Sequence, residues 1–184
     1  MGLTSPVYPP RAQEIKPRAR ERRVPEWNRR LLASRAVRAL HCMGTMDKPF
    51  EILEHTADVG IRAFGRTLPE LYENAARGML EVLLDPASVR PVEEETVVVT
   101  GTDAVDLLVV WLHEILLRTD ARKRAFAQVR VSEVAEWRLV ATLSGEALDR
   151  SRHELRAEIK GVPYYGARVA RTASAWVAEV YFDI

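Results

Sequence analysis

The alternation of apolar and polar positions changes character near residue 50. Phe50-Glu51-Ile52-Leu53-Glu54 alternates closely enough to predict a strand, and Val59-Gly60-Ile61-Arg62-Ala63-Phe64 predicts a second. Thr67-Leu68-Pro69-Glu70 then announces a helix. Thr67 is placed to accept an orphan amide, Glu70 completes a capping box, and Pro69 falls in the first turn, where a missing N–H costs little. Leu68, Leu71, Tyr72, Ala75, Ala76, Met79, Val82 and Leu83 recur at helical spacing as one buried stripe, which Asp85-Pro86 stops. Residues 92–100 predict a strand centred on Val97-Val98-Val99, and a turn at Gly101 leads into a second helix near Asp103. Val105, Leu108, Leu112, Ile115 and Leu116 form one face of it. Leu107, Val109, Val110 and Trp111 carry apolarity most of the way round, which predicts a central helix covered on several sides.

From Phe126 onward the pattern is strands, expected over 126–134, 138–145, 154–162, 167–171 and 175–182. Two helices followed by short strands indicate an α+β domain, two α-helices packed on a largely antiparallel β-sheet. Residues 46–184 are expected to form that domain, and residues 1–45 an extension to it.

The extension has no such pattern. Pro6, Pro9, Pro10, Pro17 and Pro25 among scattered charges predict disorder over 5–25, because too little apolar surface is available to offset chain entropy. Residues 26–41 fit a basic amphipathic helix with Trp27, Leu31 and Leu40 on one side. Three readings stay open for it: an RNA- or membrane-surface arm, an organellar transit peptide, and, preferred, a start at Met46 or Met43 with nothing functional upstream. Charge sharpens the division. The net charge of +1 conceals ten Lys/Arg against three Glu in residues 1–45, a balance of +7, and 17 basic against 23 acidic residues in the remainder, a balance of −6.

Cysteine usage narrows the setting. The single cysteine, Cys42, permits no intrachain disulfide framework and no multi-cysteine zinc site, which favours a reducing cytoplasm. No apolar run approaches the roughly 18–20 residues a membrane-spanning helix needs. Residues 1–30 lack the continuous apolar segment of a signal peptide.

Two metal-helix motifs fail by one residue each. His113-Glu114-Ile115-Leu116-Leu117 has Leu117 where a second histidine must stand, and His153-Glu154-Leu155-Arg156-Ala157 fails likewise at Ala157. His113 is therefore expected as a helix-surface or capping residue. No glycine-rich phosphate loop is present, and no nucleophile–base pair suggests a hydrolase. The informative segment is His55-Thr56-Ala57-Asp58-Val59-Gly60, which sets an acid between two strands. Alone, Asp58 reads more readily as a turn former and His55 as a half-buried strand end. The chain ends on Tyr181-Phe182-Asp183-Ile184, so a strand finishes with Asp183 and the α-carboxylate of Ile184 about one residue apart. Were Asp58 to approach them, three oxygen anions would share one place and need a cation, a lysine or an arginine. An all-oxygen set suits Ca²⁺ or Mg²⁺, or Mn²⁺, rather than zinc or copper. The residues alone leave open whether the two ends meet.

In the same order along residues 50–184, several segments resemble the archease family: His55 to Gly60, Ala63-Phe64-Gly65-Arg66-Thr67-Leu68-Pro69-Glu70-Leu71-Tyr72-Glu73-Asn74-Ala75-Ala76, Trp111-Leu112-His113-Glu114-Ile115-Leu116, His153, Glu158-Ile159-Lys160-Gly161-Val162-Pro163-Tyr164-Tyr165, and Val180-Tyr181-Phe182-Asp183-Ile184. The resemblance implies the archease fold and an accessory protein rather than an enzyme. Its partner would be an RtcB-type RNA ligase of tRNA splicing or RNA repair, whose guanylylation and multiple turnover it promotes. RNA would be met only through that ligase. The resemblance carries a divalent-ion site onto Asp58, Asp183 and the Ile184 carboxylate, with Ca²⁺ first and Mg²⁺ or Mn²⁺ as alternatives. Lys160 matches a lysine required for activity, and His55 and His153 are expected to face the partner or a nucleotide, or to shape the site. This chain has Pro163-Tyr164-Tyr165 where the family often has Thr-Tyr-His. Tyr165 is expected to fill the imidazole's volume. Two rival readings stay open: a chaperone-like protein-interaction module, and an RNA binder working through the basic extension.

Overall fold

The computed structural model describes residues 48–54 and 59–184. The expected disordered extension, its amphipathic helix and Cys42 lie outside the described residues, as do His55 and Asp58. In chain order the elements are β1 (Phe50–Glu54), β2 (Val59–Gly65), α1 (Leu68–Leu83), β3 (Glu93–Thr100), α2 (Ala104–Asp120), β4 (Arg124–Ala135), β5 (Arg138–Ala147), β6 (Arg168–Arg171) and β7 (Trp176–Phe182). A single 3₁₀ turn, Pro86–Ser88, follows α1.

The expected α+β class holds, with one refinement. The strands form two antiparallel sheets, one of four strands in the order β1-β2-β7-β6 and one of three in the order β3-β5-β4. α1 packs on β1, β2 and β7 of the first sheet and on β4 of the second, whereas α2 packs mainly on β3, β4 and β6. Each helix also bonds to the other. Tyr72 Oη donates to the Ala104 carbonyl at 2.8 Å, and Trp111 Nε1 donates to the Tyr72 carbonyl at 3.1 Å. Both rings are fully buried, so their polar atoms need these partners.

α1 forms for the local reasons the sequence offers. Thr67 Oγ1 accepts from the Glu70 amide at 3.3 Å, and Glu70 reaches back to the Arg66 amide at 2.7 Å, one residue beyond the usual capping box. Asp103 caps α2 by accepting from the Val105 and Asp106 amides, both at 2.9 Å. The wide apolar face of α2 buries Leu107, Leu108, Val109, Trp111, Leu112, Ile115 and Leu116. It is not covered all round, because His113 and Leu117 remain exposed. Among the described residues, no helix is long and apolar enough to cross a membrane.

One expected strand, over 154–162, is not a strand. The segment is extended, but its backbone bonds are divided between two partners. Near its start, Asp85 donates to the Glu154 carbonyl at 2.8 Å and Arg156 to the Leu83 carbonyl at 3.0 Å. Near its end, Lys160 and Gly161 bond to Asp183. Two isolated bridges, Leu84↔Leu155 and Gly161↔Asp183, replace a ladder. The apolar positions still matter, since Ile159 and Val162 are buried in the core.

Two buried carboxylates each hold two arginines. Glu179 on β7 accepts from Arg62 Nε on β2 at 2.6 Å and from Arg168 on β6, tying three neighbouring strands. Glu146 at the end of β5 does the same for the loops around it. A charge removed from water survives only when paired this fully.

Candidate functional site

β7 runs between β2 and β6, and its register with β2 places Val59 opposite Phe182 and Gly60 opposite Tyr181. That pairing sets the corner where the chain's last residues emerge. Phe182 is buried, and Asp183 and Ile184 are exposed. The approach is close at Gly60, where an added Cβ would stand 2.7 Å from Tyr181 Cδ1 and 2.9 Å from the Val180 carbonyl oxygen. Tyr181's ring also lies against Gly166 on the returning loop, 3.3 Å from where a Cβ would be. Gly166 has a φ of +77, the left-handed turn conformation that glycine adopts without steric cost.

Lys160 comes to this corner through its backbone. Its amide donates to the Asp183 carbonyl at 2.7 Å, and the Asp183 amide donates to the Gly161 carbonyl at 3.1 Å. Ile159 and Val162, both buried, anchor the segment on either side of it. Lys160 and Asp183 are both exposed, so the backbone bonds bring a lysine and an aspartate to the same stretch of surface.

Beyond Val162 the chain turns outward and is caught again. Tyr164 Oη donates to Asp106 Oδ1 on α2 at 2.6 Å. The other oxygen of Asp106 accepts from the Thr102 amide at 2.7 Å and the Thr102 hydroxyl at 3.0 Å. The Tyr164 contact, followed by those two, holds the Asp106 carboxyl below its ordinary value, and the same contact pushes the Tyr164 phenol up. Tyr165 does not fill a vacated volume, because it is 91% exposed. Which of the two adjacent tyrosines would be engaged was not visible in the sequence pattern.

The remaining histidines go elsewhere. His113 is exposed on α2, as expected, and with Val110, Leu117, Val162 and Tyr164 lines a shallow groove of about 360 Å³. His153, expected to face a partner or a nucleotide, is buried with both ring nitrogens engaged. Nδ1 accepts from the Asp149 amide at 3.0 Å, so Nε2 carries the proton and meets Glu146 Oε1 at 3.2 Å. Glu146 also accepts from Arg152 at 2.7 Å through each of its oxygens, from the Arg90 amide at 2.7 Å and from Arg90 Nη2 at 3.0 Å. Those Arg152 and Arg90 bonds hold its carboxyl far below the ordinary carboxylate range. Motif and spacing did not single out Glu146 and placed Tyr164 only within the Pro163-Tyr164-Tyr165 segment, since Arg90 and Asp106 lie 56 and 58 positions from them.

For a cation, the described residues contribute the Asp183 carboxylate and the exposed end of the chain. Among the described residues no group of three His, Cys, Asp or Glu stands together to hold a metal ion. Asp58 lies outside them, one residue before Val59. The donors present are oxygens only, which fits a hard divalent cation and not a thiophilic one.

The family model described as the Archease protein family matches residues 50–184. Protein archease of Methanosarcina acetivorans is 37% identical over 146 residues, covering 77% of this chain and 100% of that protein. Protein archease of Methanopyrus kandleri is 34% identical over 139 residues, covering 74% of this chain and 99% of its own length. The solution structure of Methanobacterium thermoautotrophicum protein 1598 is similar with a TM-score of 0.65 at 33% identity, covering 74% of this chain and 99% of that one.

Proposed function

Because this chain belongs to the Archease protein family, we propose that it is an accessory protein of an RtcB-type RNA ligase. It promotes guanylylation of the ligase, so that the ligase performs many turnovers in tRNA splicing or RNA repair. The observation that carries the reading is the pairing of Lys160 with Asp183, which brings a lysine from one segment and a carboxylate from another to one exposed corner. An exposed lysine and an exposed carboxylate at one corner suit an enzyme surface rich in phosphate and metal, where Lys160 meets phosphate oxygen as a compact charge.

Asp183, the carboxylate following Ile184, and Asp58 would hold a divalent ion, Ca²⁺ first and Mg²⁺ or Mn²⁺ as alternatives. Val59, the residue after Asp58, stands opposite Phe182, the residue before Asp183, which supports that grouping. Bound there, such an ion supplies a concentrated positive charge that orients anionic oxygen. The domain's balance of −6 favours docking on a basic RNA-handling protein over direct contact with RNA.

The test is ligase turnover. With a purified RtcB-type ligase, this chain is expected to convert single into multiple turnover. Asp58→Ala, Asp183→Ala and residues added after Ile184 should each abolish that gain while leaving the fold intact. Full multiple turnover with all three variants would refute the site assignment. A chaperone-like interaction module is the second reading, favoured by the exposed groove beside Val110, Leu117 and Tyr164. It predicts no effect on ligase turnover.

A further inference from the structure

We propose that Tyr164, through its hydroxyl bond to Asp106, is a positioning residue that keeps Lys160 registered against Asp183. Its consequence at the ligase rests on the functional reading above, and its structural part rests on the loop geometry alone.

Between Val162, which is 4% exposed, and Ala167, the chain makes an outward excursion through Pro163, Tyr164, Tyr165 and Gly166, all exposed. Pro163 has no N–H to contribute. The turn closes on itself with one backbone bond, Ala167 N–H to the Tyr164 carbonyl at 3.1 Å. Among the described residues, its one side-chain hydrogen bond to another element is Tyr164 Oη to Asp106 Oδ1.

The acceptor is fixed. Asp106 sits in the first turn of α2, with its own amide bonded to the Asp103 cap and its second oxygen bonded to Thr102. The helix beneath buries Leu107, Leu108 and Trp111 in the core. An O–H···O⁻ bond is short and directional, and the shifts described above keep Tyr164 as donor and Asp106 as acceptor throughout neutral pH. The bond ties a turn four residues beyond Lys160 to a rigid helix end.

Local opening spreads from the least-held segment into its neighbours. Releasing Tyr164 leaves the excursion held by its internal turn bond and by the buried Val162, and the next backbone bonds reached are Asp183 N–H to Gly161 and Lys160 N–H to Asp183. A Lys160 that is correctly placed only part of the time weakens apparent affinity by that fraction and leaves the effect at saturation unchanged.

The experiment uses the full chain with Tyr164→Phe, Asp106→Ala and the double variant, each confirmed folded by thermal melting. Amide hydrogen exchange is read at Lys160 and Asp183, with Ile61 and Val180 of the β2–β7 ladder as controls. Both single variants should accelerate exchange at Lys160 and Asp183 by about fivefold or more and leave the controls unchanged. The double variant should be no faster than the worse single, because the Tyr164–Asp106 bond is already lost in each single variant. In the ligase assay, Tyr164→Phe should raise the concentration for half-maximal activation about three- to tenfold with the plateau unchanged. Lys160→Ala is the comparison. Unchanged exchange in Tyr164→Phe overturns the proposal whatever the ligase does. Faster exchange with an unmoved half-maximal concentration, while Lys160→Ala abolishes activation, overturns its functional part. If wild type and Lys160→Ala behave alike with the ligase, the functional reading has failed, and exchange still decides the geometry.

Discussion

Lys160 is held to Asp183 by backbone alone, the lysine amide giving 2.7 Å to the aspartate carbonyl. Among the described residues neither side chain makes a hydrogen bond or an ion pair, and both are exposed.

Replacing Lys160 therefore separates stability from function. Lys160→Ala should change unfolding free energy by no more than about 0.5 kcal/mol in urea titrations, as for an exposed side chain without a packing role. Lys160→Pro removes the donor and should cost more. A large loss for the alanine variant would show that the side chain carries stability.

Gly60 tests the tightness of the same corner. Its missing Cβ would sit 2.7 Å from the Tyr181 ring and 2.9 Å from a backbone oxygen. Gly60→Ala should destabilise by about 1–3 kcal/mol, the usual cost of overpacking. Adding Tyr181→Ala should recover only part of that loss, since the Val180 carbonyl cannot withdraw. Complete recovery would place the whole clash on the ring.

Glu146 supplies a pH signature. Its folded carboxyl lies far below the ordinary 4.5, so its contribution is fully present above that value and is lost as pH falls below it toward the folded value. Glu146→Gln should lower the melting temperature at pH 7 and lower it progressively less as pH is taken to 3. A gap that stays constant with pH would mean that the carboxylate's charge is not what Arg152 and Arg90 hold.

The β4–β5 hairpin turns through Glu136 and Trp137 with φ values of +48 and +61. Two consecutive left-handed residues make a turn that Asn-Gly adopts with less strain. Glu136→Asn with Trp137→Gly should raise stability by about 1 kcal/mol in thermal or urea unfolding. The Gly101 amide, bonded to the residue 137 carbonyl at 2.8 Å, keeps its partner because that bond is backbone. A lower melting temperature would show that the half-exposed Trp137 ring contributes more than the turn costs.

The legibility of these features in the sequence follows from how local each one is. α1 was readable from end to end because Thr67, Pro69, the stripe from Leu68 to Leu83 and Asp85-Pro86 act within a few residues. The segment 154–162 misled because Leu155, Ala157 and Ile159 alternate like a strand, whereas its backbone partners lie at Leu83 and Asp183. The division into two sheets was hidden for the same reason. At the candidate site, ordered motifs singled out Lys160 and Asp183, but their mutual register is a long-range fact. His153 looked available although Asp149 and Glu146 lie only four and seven positions before it, because spacing alone does not show that the turn folds them onto both ring nitrogens.

The central place of β7 also bears on the order of folding. Arg62 and Glu179 are 117 positions apart in sequence, so the four-stranded sheet must close a long loop before its contacts repay that entropy. The β4–β5 hairpin and its β3 neighbour close far shorter ones. In pulse-labelled refolding, amides of the central strand β5 such as Ala141 and Leu143 should gain protection before Ile61 and Val180. The corner carrying Lys160 and Asp183 is completed only when Gly60 comes opposite Tyr181, so the β2 side of it arrives after the hairpin sheet has formed.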